Sequence, residues 1–274
     1  MGIGQLKEKL IVKLLVRSLN TASKEQGLLG IRDKLDAIVE DITSQYTNKK
    51  IEGEYLTAKV RSLHAFQISL IEKAIAEFKD AVVVDIGDSS GVHIQYIKSL
   101  FKENCSRCLS VNLDEKAVKK IKDKGLEAIL SRAEELDKYN INGDIFMSFE
   151  MLEHLMNPAR FLYDLSSKSD AKYLVITVPY KSASKVGLRW VREEIRERSY
   201  AENTHIFELS PEDWKMLFKF SGWKVNYEQV YRQYPNRHVL RALKGFWKKH
   251  DYEGFYGVIL EKDDTYSSLY SDWQ

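Results

Sequence analysis

The sequence predicts an α/β fold: a parallel sheet with helices on both faces, behind a helical N-terminal extension over residues 1–79. Three observations lead there. Apolar residues recur at helical spacing through the first 80 positions, the period changes at residue 81, and short β-branched runs then alternate with amphipathic ones. The chain has 274 residues, 44% hydrophobic and 30% charged, enough for one large α/β domain with additions.

Residues 3–19 place Ile3, Leu6, Leu10 and Leu14 on one stripe, with Lys7, Lys9, Lys13 and Arg17 around it. This predicts a basic amphipathic helix, suited to packing on the main domain, to a second copy in a homo-oligomer, or to peripheral membrane contact. Further helical patterns fill 24–48 and 54–78. Strands are expected at 81–86, 108–113, 126–130, 144–149, 173–179, 223–231 and 255–261. Helices are expected at 91–102, 115–123, 151–166 and 211–221. The region 80–274 then holds a seven-strand sheet, with insertions at about 181–200 and 232–254.

The net charge of +2 indicates no global field for nucleic acid. No 18-residue apolar run suggests a membrane span, and charged residues interrupt the apolar N-terminus, against a signal peptide. Cys105 and Cys108 form one C-x-x-C without a second to complete a zinc site, so ordinary thiols in a helix-to-strand turn and a reducing, cytoplasmic setting are expected.

The richest stretch is Val82-Val-Val-Asp85-Ile-Gly87-Asp-Ser89-Ser-Gly91: strand, tight turn, helix. Gly87 and Gly91 let backbone approach a ligand, and the following helix offers free N–H groups. The G-x-G-x-x-G dinucleotide spacing is absent. Asp85 would repel a pyrophosphate but suits a cofactor with positive charge, such as the sulfonium and ammonium of S-adenosylmethionine. The stretch resembles the first motif of the class I methyltransferases, D/E-x-G-x-G-x-G, with Ser89 in place of the middle glycine.

That resemblance covers residues 80–262 and implies a Rossmann-like seven-strand sheet binding S-adenosylmethionine at its carboxyl edge. Asp85, Gly87, Ser89 and Gly91 would line the methionine end. Asn112 stands where the family has a ribose-binding acid; Asp114 is a substitute or a helix cap. Arg132 occupies the place of the acid that holds adenine, leaving the Ala133 backbone to meet the base. These departures keep open a non-catalytic binding protein on a degenerate methyltransferase fold.

Glu150, Glu153 and His154 are spaced i, i+3, i+4, so a helix starting there would gather them on one face at the cofactor side. His205 comes later, before Phe207-Glu208 and a helix capped by Ser210. Together they resemble the E-x-x-E-H…H motifs of the small-RNA 3′-terminal 2′-O-methyltransferases, and E-x-x-E-H also occurs in the ubiquinone-biosynthesis O-methyltransferases. The resemblance implies Mg²⁺ or another divalent cation on Glu150, Glu153, His154 and His205, with Glu150 also beside the cofactor. Glu153, His154 and His205 are the candidate catalytic residues, and a metal-free role with an imidazole base stays open. The implied reaction is methyl transfer to the hydroxyl of a vicinal diol, a glycan or a small polyol-type acceptor. Basic and aromatic residues in 181–200 and 231–250 suit phosphate- or glycan-bearing substrates. RNA is the alternative acceptor, less favoured because no RNA-binding module is recognisable.

Overall fold

A computed structural model describes residues 3–46, 50–139, 141–187, 205–250 and 253–269. Three helices come first: α1 (Ile3–Glu25), α2 (Leu29–Ile38) and α3 (Gly53–Ile75). The expected second helix is the one most shortened. It ends at Ile38, and residues 39–46 continue as irregular chain.

Seven strands form the sheet: β1 (Ala81–Ile86), β2 (Cys105–Asn112), β3 (Glu127–Leu130), β4 (Ile145–Phe149), β5 (Tyr173–Pro179), β8 (Trp223–Arg232) and β9 (Gly254–Lys262). Their order is β3-β2-β1-β4-β5-β9-β8. The first five are parallel and β9 runs antiparallel to both β5 and β8. Between them, β6 (Lys185–Val186) pairs with β7 (Phe207–Glu208) as a separate ribbon. Residues 188–204, with most of the basic helix expected in 181–200, lie outside the described residues.

The strand centres are apolar on both faces because helices cover both. On one face α3 and α4 (Val92–Leu100) bury Phe66, Leu70, Ile94 and Ile97 against Val83, Ile145 and Val175. On the other, α6 (Pro158–Lys168) and α7 (Pro211–Phe220) bury Phe161, Leu162, Trp214 and Phe218 against Val84, Phe146, Leu174 and Val258. The remaining helices are α5 (Glu115–Asp123) and α8 (Lys244–Lys249). No described helix is long and apolar enough to cross a membrane.

Two expectations need correction. The helix expected at 151–166 starts only at Pro158, where Asn157 caps it by accepting from Arg160 N at 3.1 Å. A 3₁₀ turn, Leu152–His154, precedes it. Both cysteines lie within β2 rather than in a turn before it. Of the two readings of Asp114, the helix cap is the one seen: the residue lies beyond the end of β2 and caps α5, accepting from Lys116 N at 2.9 Å.

α3 fits the sheet closely because β9 has a glycine beneath it. A Cβ at Gly257 would lie 2.5 Å from Phe66 Cζ and 2.6 Å from Leu70 Cδ1. Gly257→Val should therefore overpack this layer and cost about 1–3 kcal/mol in urea unfolding. Wild-type stability in the variant would show that α3 does not need this close approach.

Candidate active site

The site lies where β1 and β4 end. After β1 the chain turns through Gly87 (φ 95°) and Gly91 (φ 74°), both left-handed. A Cβ on Gly87 would meet Met151 Cγ at 3.1 Å, so the two strand-end loops touch there. Ser89 keeps a negative φ, which is why a serine fits in place of the middle glycine. Its hydroxyl donates to the Gln45 carbonyl at 3.0 Å, and Lys120 Nζ donates to the Ser44 carbonyl. The irregular 39–46 segment is thereby pinned over the turn.

Asp88, which sequence reasoning passed over, organises the turn from inside. Its Oδ1 accepts from Ser90 N (3.0 Å) and Gly91 N (2.8 Å), and its Oδ2 accepts from Ser110 Oγ (3.2 Å). The signal was present as an Asp followed by Ser-Ser-Gly, a side-chain turn motif. Asn112 uses both ends of its amide nearby: Nδ2 donates to the Asp88 carbonyl at 2.8 Å and Oδ1 accepts from Asp114 N at 2.7 Å. Ala133 opens a 3₁₀ segment after β3, and Arg132 pairs with Glu134 at 3.6 Å.

Asp85 is 1% exposed, and its Oδ2 has no hydrogen-bond partner among the described residues. Burial, then the neighbouring Asp88, push its carboxyl well above the usual range. His93 Nδ1 stands 3.7 Å away, and His93 Nε2 bonds Gln67 Oε1 at 2.9 Å. Burial holds that imidazole below its ordinary value, so it is a poor counter-cation. An enclosed carboxylate of this kind fits a cationic ligand.

At the end of β4, Glu150 is the sole non-glycine among the described residues with a positive φ, 51°. Its N–H donates to the Thr177 carbonyl at 2.9 Å, while its Oε1 is enclosed without a hydrogen-bond partner. Burial pushes the carboxyl up to about 8 against the help of Thr177 and Lys59. Glu153 is 1% exposed, and neither carboxylate oxygen finds a hydrogen-bond partner among the described residues. Burial first, then Glu150 and Glu208, raise it well above the usual range.

His205 reaches this place from far along the chain. Ile206 N donates to the Glu153 carbonyl at 2.8 Å, and the β6–β7 ribbon holds the segment in register. The His154 and His205 rings meet edge-on, with centroids 4.7 Å apart. Glu153, His154 and His205 each present a ligand atom within 4.8 Å of the other two. Glu150 stands outside that group; without a helix at 151, the i, i+3, i+4 face it was expected to share does not form.

Sequence reasoning also missed Glu208 and Lys181. Glu208 Oε1 lies 3.1 Å from His205 Nδ1 and 3.3 Å from Lys181 Nζ, and Glu208 is 4% exposed. Burial raises its carboxyl, but His205 and Lys181 outweigh this and hold it below its ordinary value. A carboxylate on Nδ1 favours the tautomer that leaves Nε2 as an acceptor, a common arrangement behind histidine ligands.

No protein-family model and no curated protein matches the chain. Solved structures do. A proposed sarcosine dimethylglycine methyltransferase from Galdieria sulphuraria is 13% identical, with TM-score 0.55 over 76% of this chain and 87% of that one. The O-methyltransferase of a trans-AT polyketide multienzyme from Brevibacillus brevis, solved with S-adenosyl-L-homocysteine, is 11% identical, with TM-score 0.53 over 77% and 76%. The chain has the class I methyltransferase fold. The [4+2]-cyclase SpnF also matches, 11% identical with TM-score 0.54 over 88% and 95%. A methyltransferase fold thus serves more than one chemistry, and activity must be argued from the site.

Two expectations follow from the geometry. Asp114→Ala should cost about 1 kcal/mol in thermal unfolding through the lost helix cap, whereas Asn112→Ala should loosen the turn and weaken S-adenosylhomocysteine binding by calorimetry. Unchanged affinity in Asn112→Ala would show that Asn112 does not support S-adenosylhomocysteine binding. The second concerns Glu150, whose folded pKa exceeds its unfolded value of 4.5. Its stabilising protonation is complete below pH 4.5 and lost as pH rises to about 8. Over that window stability should fall as pH rises, because the folded state holds the proton that the unfolded state has released. Denaturant titrations should show a shallower decline in Glu150→Gln; identical slopes would refute this.

Proposed function

We propose that the chain is an S-adenosylmethionine-dependent methyltransferase that acts on a hydroxyl oxygen with the help of a divalent cation. The observation that carries this reading is the meeting of Glu153, His154 and His205 beside the cofactor turn. A 1%-exposed glutamate whose oxygens lack hydrogen bonds among the described residues is costly unless a cation meets it. One carboxylate and two imidazoles suit Mn²⁺, Fe²⁺ or Zn²⁺ as well as Mg²⁺. Glu150 is close enough to raise the Glu153 pKa.

In this reading Asp85 faces the positive end of the methyl donor, and Gly87 supplies the left-handed turn that carries the chain past it. Glu153, His154 and His205 hold the cation, and Glu208 keeps the His205 ring oriented. A bound divalent cation would supply charge that lowers the pKa of an acceptor hydroxyl. Lys181, salt-bridged to Glu208, contributes a positive charge behind the site. The preferred acceptor class is a vicinal diol, a glycan or a small polyol-type molecule. The cytoplasm is the proposed location.

Calorimetry with S-adenosylhomocysteine tests the cofactor; no heat and no thermal shift would reject the enzyme reading. Mn²⁺ binding followed by electron paramagnetic resonance tests the cation. Binding should be lost in Glu153→Ala and weakened about tenfold or more in Glu208→Gln, with S-adenosylhomocysteine affinity retained in both. Absence of Mn²⁺ binding by the wild-type chain would instead support a metal-free site with an imidazole base, and retained affinity in Glu153→Ala would reject Glu153 as a ligand.

A further inference from the structure

α1 is buried along one side, where Leu15 and Leu19 pack on Tyr234 and Trp247. Away from that seam, Leu10, Ile11 and Leu14 are exposed at 59%, 45% and 36%. Exposed Lys9, Lys13 and Arg17 lie among them. The long β8–β9 connection runs back along the same helix. Asn236 N donates to Glu25 Oε2 at 2.7 Å near the C-terminal end of α1, and Trp247 reaches Leu15 and Leu19 further up. This carries exposed Arg241, Lys248 and Lys249 alongside α1, together with Val239, which is 83% exposed. From Tyr234 to His250 the sequence has no acidic residue. Two basic, apolar-bearing segments far apart in sequence therefore share one seam.

We propose that this seam is a docking surface for an anionic lipid bilayer. Aliphatic side chains ringed by Lys and Arg match the boundary between acyl chains and acidic headgroups. A second copy of the chain fits poorly, because self-pairing would oppose like charges. Nucleic acid fits poorly too: stacking needs exposed aromatic faces, and here Tyr234 and Trp247 are buried while the exposed large hydrophobics, Leu10, Ile11, Leu14 and Val239, are aliphatic. The surface is also placed for use. The connection leaves β8 at Arg232 and enters β9 at Gly254, the edge where Tyr180 N donates to the Gly254 carbonyl at 2.9 Å. That is the edge at which β5 ends, next to Lys181, so docking would set the candidate site near the lipid surface. The inference stands independently of the methyl-transfer reading.

Co-sedimentation of the whole chain with phosphatidylcholine vesicles, with and without phosphatidylglycerol, tests it. Binding should be at least about tenfold stronger with the anionic lipid and should fall as salt is raised. Lys13→Glu combined with Arg241→Glu should reduce it by about tenfold or more. Leu10→Ser combined with Leu14→Ser should weaken it while preserving its salt dependence; both pairs are surface changes, and unaltered thermal unfolding would verify their folding. Equal or absent binding to the two vesicle types would overturn the proposal. So would concentration-dependent dimerisation abolished by Leu10→Ser with Leu14→Ser, or tight binding to an RNA oligonucleotide by a chain that ignores anionic vesicles.

Discussion

The rest of the site depends on one constraint: acidic side chains are packed where the parallel strands end, out of reach of bulk water. Asp85, Asp88 and Glu153 are buried, and one oxygen of Glu150 is enclosed. Asp88 alone is well supplied, with two backbone N–H groups and a hydroxyl. Charges of one sign brought together in a low-dielectric place raise each other's pKa and destabilise the fold. On the function proposed above, cations relieve this cost in both halves of the site: the methyl donor would meet Asp85 and a divalent ion would meet Glu153.

The N-terminal helices belong to this arrangement and are more than an appendage. α3 lies across the sheet and sends Gln67 between His93 and Thr177: its Oε1 faces His93 Nε2, and its Nε2 donates to Thr177 Oγ1 at 3.0 Å. Thr177 in turn supports Glu150 through both its carbonyl and its hydroxyl. A polar chain thus runs from Asp85 to Glu150 beneath the two loops. One turn earlier in α3, His64 Nε2 meets Gln45 Nε2 at 2.9 Å, and the Gln45 carbonyl accepts from Ser89. The helix positions the turn from below and its cap from above.

Much of this was legible in the residues. β-Branched runs marked the strands, Gly87 and Gly91 marked the left-handed positions, and Ser210-Pro211 marked the start of α7. What stayed hidden was set by long-range contact. The Glu150–His154 spacing reads as helix, yet Asn157-Pro158 supplies a cap and a first position that start the helix later. The loop before it instead takes a left-handed turn at Glu150, held by pairing to Thr177. Asn112 could be placed at the strand end, but its bonds to Asp88 and Asp114 need the neighbouring turn in three dimensions.

His205 shows best how sequence distance and chemistry are reconciled. Nothing near it in sequence ties it to Glu153; the ties are the hydrogen bond from Ile206 N to the Glu153 carbonyl and a two-residue ribbon, Lys185–Val186 with Phe207–Glu208. The same ribbon turns Glu208 inward, where Lys181 from the end of β5 meets it. One short pairing therefore delivers a histidine and the carboxylate that orients it, and anchors both to a strand of the main sheet. Because a ribbon so short has few bonds of its own, its register must be set by those buried polar contacts. The chemistry of the site and the stability of this insertion are thus the same set of interactions.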